Sequence, residues 1–205
     1  MGFLVGEAHY RRAKRRSRCY VSPVTLFHAR RFTVLPLAPP GSSTLPLPHA
    51  LTTSEERPAV LARVDLEETA PWERPRLTTI ERGRDFYVAD EAGRALVRVG
   101  DEGRLHPDVE LHLAAPFVEH ELRGPPNPLR AFVRTVGPGD VVWVIGRSRL
   151  VTDREAAALR DAPLIPCFAG DIGPLHLYDD DAFQRLAAWH ALPWYRKLSL
   201  MVRNR

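Results

Sequence analysis

From Ala59 onward, apolar and polar residues alternate with a period of two over several short stretches. In "VLARVDLE", Val60, Ala62, Val64 and Leu66 lie on one side and Arg63, Asp65 and Glu67 on the other. Successive side chains of a strand point to opposite faces, so this pattern predicts a half-buried strand. "RLTTI", "DFYVAD", "ALVRV" and "VELHL" read the same way, and "FTVL" (residues 32–35) predicts a short strand further upstream. "RDFYVADEAGRALVRV" predicts a hairpin, with Phe86 and Val88 toward the core and a turn at Asp90, Glu91 and Gly93, where glycine permits a positive φ. "GPGDVVWVIGRSRLV" predicts a tight turn at Gly137–Asp140 followed by one long strand, central in its sheet because both of its faces are apolar. "PLIPCF" and "PLHLY" predict two more short strands.

The period changes twice. "TDREAAALRDA" predicts a helix with a capping box formed by Thr152 and Glu155. "DDDAFQRLAAWHAL" predicts a second helix, with Phe183, Leu186, Ala187 and His190 on one stripe, acids at its start and Pro193 at its end. The expected fold class is mainly β (α+β): a compact antiparallel β-barrel or sandwich with two short late helices.

Charge and composition divide the 205-residue chain further. Residues 1–31 carry Arg11, Arg12, Lys14, Arg15, Arg16, Arg18, Arg30 and Arg31 against one acid, Glu7, whereas the whole chain is only +4. A basic N-terminal arm therefore precedes a mildly acidic body. Residues 32–58 contain six prolines and read as an extended segment rather than a core. Residues 59–192 form the β-rich domain, and residues 193–205 an aromatic and basic tail. No stretch approaches the roughly 20 apolar residues of a membrane-spanning helix. The basic residues follow the short apolar start instead of preceding it, which makes a poor signal peptide. The expectation is a cytoplasmic protein with peripheral contact to a membrane.

Candidate chemistry is sparse. Cys19 and Cys167 are far apart and read as separate thiols, and two cysteines build no structural zinc site. His106, His112, Glu119, His120 and Glu121 fall close together. A metal or acid–base site is conceivable there, but a surface reading is favoured because His112 lies on the outward side of an alternating strand and no H-E-x-x-H spacing occurs. Asp179, Asp180 and Asp181 read as helix capping rather than cation ligands. No nucleophile elbow, phosphate loop or dinucleotide fingerprint occurs. No catalytic residue, cofactor or metal is expected. The candidate contact residues lie in the arm (Arg11, Arg12, Lys14, Arg15, Arg16, Arg18) and the tail (Trp189, Trp194, Tyr195, Arg196, Lys197), where aromatic and basic side chains suit a membrane interface or a partner surface.

The order of elements resembles the GIDE, or beside-a-membrane, domain of Mulan-type ubiquitin ligases and their prokaryotic relatives. The elements carrying the resemblance are "PAVLARVDLEE", Trp72 in the next loop, "RDFYVADEAGRALVRV", "VRTVGPGDVVWVIGRSRL" and "GPLHLYDDDAFQRLAAWHAL", together spanning roughly residues 45–192. The resemblance implies a β-rich fold with a binding or sensing role. It does not carry ligase activity, because a RING finger takes about eight zinc ligands and this chain has two cysteines. The main expectation is therefore a non-enzymatic interaction domain that acts beside a membrane or in a protein assembly. The alternatives are a nucleic-acid-binding β-barrel that uses the basic arm, and a structural subunit whose arm wraps neighbouring copies in an oligomer.

Overall fold

The computed structural model describes residues 28–36, 59–68, 76–100, 104–114, 118–122, 129–153, 155, 162–193 and 196. Twelve strands appear among them: β1 (Arg30–Val34), β2 (Leu61–Glu68), β3 (Arg76–Gly83), β4 (Phe86–Asp90), β5 (Gly93–Arg98), β6 (Val109–His112), β7 (Val118–Leu122), β8 (Leu129–Val136), β9 (Val141–Ile145), β10 (Ser148–Thr152), β11 (Leu164–Ala169) and β12 (Leu175–Asp179). A 3-10 turn (Gly170–Ile172) and one α-helix, α1 (Asp180–Ala191), complete the described elements. The fold is mainly β.

The strands form an eight-stranded sheet, in the order β10-β11-β5-β4-β1-β9-β12-β6, and a four-stranded sheet, β3-β2-β8-β7. The larger sheet departs from the expected antiparallel barrel or sandwich. The four-stranded sheet is antiparallel, but the larger sheet is mixed, because β5 pairs with β11 and β6 with β12 in parallel. Both parallel partners are distant in sequence, so no hairpin could have formed them. Neither strand order closes into a barrel among the described residues.

Residues paired across strands share a face of the sheet. Phe168, Val97 and Phe86 stand in one such row, Ala95, Val88 and Val34 in another, and Val144, Leu177 and Leu111 in a third. These rows form one wall of the main core, which Val60, Leu61 and Val136 enter from the ends of β2 and β8. Val64, Ala131 and Val133 make a smaller cluster on the four-stranded sheet. Each fully buried side chain of this size contributes about 1.5–3 kcal/mol by leaving water.

The hairpin forms as its sequence requires. Phe86 and Val88 are fully buried, Gly93 has φ 131°, and the Asp90 carboxylate accepts the Ala92 N–H at 2.9 Å. The Gly-Pro-Gly turn also forms: Gly139 has φ 90°, and the Asp140 carboxylate accepts the Gly137 N–H at 2.8 Å. β9 is an interior strand, as its apolar faces require. The strand expected to continue to Val151 instead breaks at Gly146–Arg147, and β10 turns away to pair with β11.

β1 sits between β4 and β9, so the polypeptide joins the eight-stranded sheet at Arg30, upstream of the proline-rich segment. Thr152 ends β10 opposite Leu164, and it is the Asp153 carboxylate that accepts the Glu155 N–H, at 3.2 Å. Most of the helix expected over 152–162 lies outside the described residues. α1 forms as expected, with Asp179 as its N-cap accepting the Ala182 N–H at 2.7 Å.

Candidate functional site

The face of the large sheet opposite the main core carries most of the described polar and aromatic chemistry. α1 covers part of it. Trp143 of β9 stacks on Phe183 of α1, with ring centroids 3.8 Å apart, and donates its indole N–H to Asp180 at 2.8 Å. Tyr178 of β12 meets Phe183 edge-on and lies flat against His112 of β6, with centroids 4.2 Å apart. The second carboxylate oxygen of Asp179 accepts the Ala114 N–H at 2.5 Å, which ties the end of β6 to the start of α1. The run Asp179–Asp181 thus caps the helix and braces its neighbours.

Beyond the helix, the parallel pairing of β6 with β12 sets His176 beside Glu110 and Tyr178 beside His112. Glu110 Oε2 lies 3.6 Å from His112 Nε2 and 3.5 Å from His176 Nδ1. The donor atoms of the three side chains all lie within 4.8 Å of one another. This cluster is not the one expected from the sequence. His106 is half-exposed near a turn, where its Nδ1 accepts the Asp108 N–H at 3.2 Å. His120 belongs to β7 in the other sheet, where the side chains of Glu119, His120 and Glu121 lie outside the described residues. His112 is partly exposed, as the alternation required, but its partners come from its own strand and from β12. His176 is not among the expected residues: "PLHLY" predicts only a short strand, its alternation is the one local signal that bears on the direction of His176, and nothing in the sequence marks it as a neighbour of Glu110.

Three further polar clusters lie elsewhere. On β2, Asp65 is buried rather than solvated: its carboxylate accepts from Thr79 at 2.8 Å, Arg63 at 3.1 Å and Arg134 at 2.6 Å. Arg63 also reaches Glu81 at 3.6 Å, so two arginines face two acids. Asp153 is fully buried against Arg94 and Tyr87. A cleft of about 190 Å³ is lined by Asp85, Arg98, Gly100, His106 and Asp171. It is smaller than the roughly 300–1,000 Å³ of ordinary small-molecule sites. Burial pushes the Asp85 carboxyl above its usual range, against the pull of the Val99 N–H and Arg98.

At the far end of the large sheet, Leu150 and Leu164 are 65% and 61% exposed. They continue the core-facing rows past the last buried residues, where β10 is the edge strand among the described residues.

Of the expected contact residues, Trp189 is half-buried on α1 and Arg196 is exposed, its N–H donated to the Pro193 carbonyl at 3.0 Å. Arg11, Arg12, Lys14, Arg15, Arg16, Arg18, Trp194, Tyr195 and Lys197 lie outside the described residues. No helix among the described residues is long and apolar enough to cross a membrane. No protein-family model, no curated protein and no solved structure matches the chain.

Proposed function

We propose that this protein is a non-enzymatic β-rich interaction domain of the GIDE type, acting in a protein assembly or beside a membrane, and that it receives an extended segment of a protein partner along β10. The exposure of Leu150 and Leu164 at this edge carries the reading. An edge strand presents backbone N–H and C=O groups that an added strand can pair with, and alternate side chains of that strand then need apolar seats. Leu150 and Leu164 supply such seats, and the exposed Arg147 lies beside them, together with Arg149, which also reaches Asp171 at 3.2 Å. A partner segment that alternates aliphatic with acidic residues fits this edge.

Site-specific photo-crosslinking in cells tests the proposal. A benzoylphenylalanine at position 150 or 164 should capture the same partner peptide, and one at Arg185, on the exposed side of α1, should not. Equal capture from all three positions, or none from 150 and 164, overturns docking at β10. Co-sedimentation with anionic vesicles tests the setting: binding at low salt places the domain at a membrane surface, and its absence leaves the protein assembly.

A further inference from the structure

We propose that Glu110, His112 and His176 form a three-ligand binding site for a divalent transition-metal ion of the zinc class. The site is separate from the β10 edge and does not depend on it. Glu110 and His112 are two residues apart on β6, so strand geometry alone puts them on one face. The parallel ladder then supplies His176 from β12, directly beside Glu110.

Distances decide between a metal site and a chance cluster. Zinc binds imidazole nitrogen at about 2.0–2.1 Å and carboxylate oxygen at about 2.0–2.2 Å in tetrahedral geometry, so neighbouring donor atoms sit about 3.4 Å apart. Two of the three separations here are 3.5 and 3.6 Å, close to that value. The third, between His112 Nε2 and His176 Nδ1, lies within 4.8 Å and closes by a small tilt of the two rings. Glu110, whose side chain is 47% exposed, has the freedom to follow.

The environment suits ligation. His112 lies flat against the Tyr178 ring, and His176 stacks beside His112 with centroids 5.8 Å apart, so stacking orients both imidazoles and leaves them only small tilts. His176 Nδ1 is closed off from water and makes no hydrogen bond among the described residues. A separation of 3.5 Å from Glu110 Oε2 is an ion-pair distance rather than a well-formed hydrogen bond. A cation between these atoms satisfies both at once. Two imidazoles and one carboxylate select a borderline transition ion over magnesium or calcium, which prefer all-oxygen shells of six or more ligands. Bound there, the ion ties the edge strand β6 to β12.

The test uses the full chain stripped with a chelator and dialysed. Zinc titrated by calorimetry should bind at one ion per chain, and excess magnesium or calcium should not displace it. Cobalt(II) at the same site should give the visible absorption of a four-coordinate nitrogen and oxygen shell. Glu110→Gln, an exposed and shape-conserving change, should weaken zinc binding by more than the roughly 10- to 100-fold lost with a mere supporting contact, and His176→Gln likewise. Zinc should raise the melting temperature of the wild type but not of Glu110→Gln, which also shows that this variant is folded. No zinc binding at micromolar concentration, equal binding by wild type and both variants, or unchanged binding by Glu110→Gln alone overturns the three-ligand site.

Discussion

The Arg94–Asp153 pair offers a strong test of how this fold handles charge. Asp153 is 0% exposed, and Arg94 reaches its carboxylate from β5. Its other oxygen accepts the Glu155 N–H at 3.2 Å and faces the Tyr87 hydroxyl at 3.4 Å. Arg94 also lies 5.3 Å from the centre of the Tyr87 ring. Burial, and then the negative charge of Asp153, push the Tyr87 hydroxyl upward, so it stays a neutral donor. Arg94→Ala leaves a buried carboxylate without its cation, a loss of about 3–5 kcal/mol for a buried pair, against about 0–1 kcal/mol for a surface one. Arg94 keeps 29% of its side chain exposed, which places the expected cost near the lower limit. At about 2–4 °C per kcal/mol for a chain of this size, a loss of about 3 kcal/mol lowers the melting temperature by roughly 6–12 °C. Asp153→Asn keeps the size and the acceptor for Glu155 and removes the charge. Added to Arg94→Ala, it should recover most of the loss. Urea denaturation of the two single variants and the double variant measures the coupling. A cost below about 1 kcal/mol for Arg94→Ala, or no recovery in the double variant, refutes the buried-charge reasoning.

Two further outcomes follow from the same surroundings. Burial pushes the Cys167 thiol above its usual range despite the nearby Arg98 and Arg149. The peptide containing Cys167 should therefore resist alkylation in the native protein and label fully in denaturant, as peptide mass spectrometry would show; rapid native labelling contradicts its burial. Asp85 has a folded pKa raised above its ordinary 3.8, so its share of stability is largest at acid pH and falls as pH rises through the raised value. Asp85→Asn keeps an acceptor for the Val99 N–H and should gain stability relative to wild type as pH rises from 3.8 through the raised value. A relative loss over that range, measured by urea midpoints, reverses the sign and refutes the assignment.

The local rules of the chain were legible. Alternation located β2, β4, β5 and β6 because a strand facing a core must repeat every two residues. Turn chemistry located the hairpin at Gly93 and the turn at Gly139 because few residues adopt their positive φ. Capping by Asp179 followed from acids before an amphipathic run. The break between β9 and β10 was not legible, since "VVWVIGRSRLV" stays strand-like throughout and only pairing with β11 turns the chain. Asp65 illustrates the same limit: alternation put it on the polar face, but its burial depends on Arg134 and Thr79 arriving from strands on either side.

By itself the sequence determined a mainly β fold, the outward direction of His112, and the caps and turns that bound the elements. Each of these depends on neighbours within a few residues. The tertiary structure alone decided the parallel pairings and their register. His176 lies beside Glu110 only because β12 runs alongside β6, and a one-residue slip would send its side chain to the other face. That register is held by the packing of Leu175, Leu177, Val109 and Leu111 in the core beneath. The buried side of the sheet therefore fixes which chemistry meets on the open side.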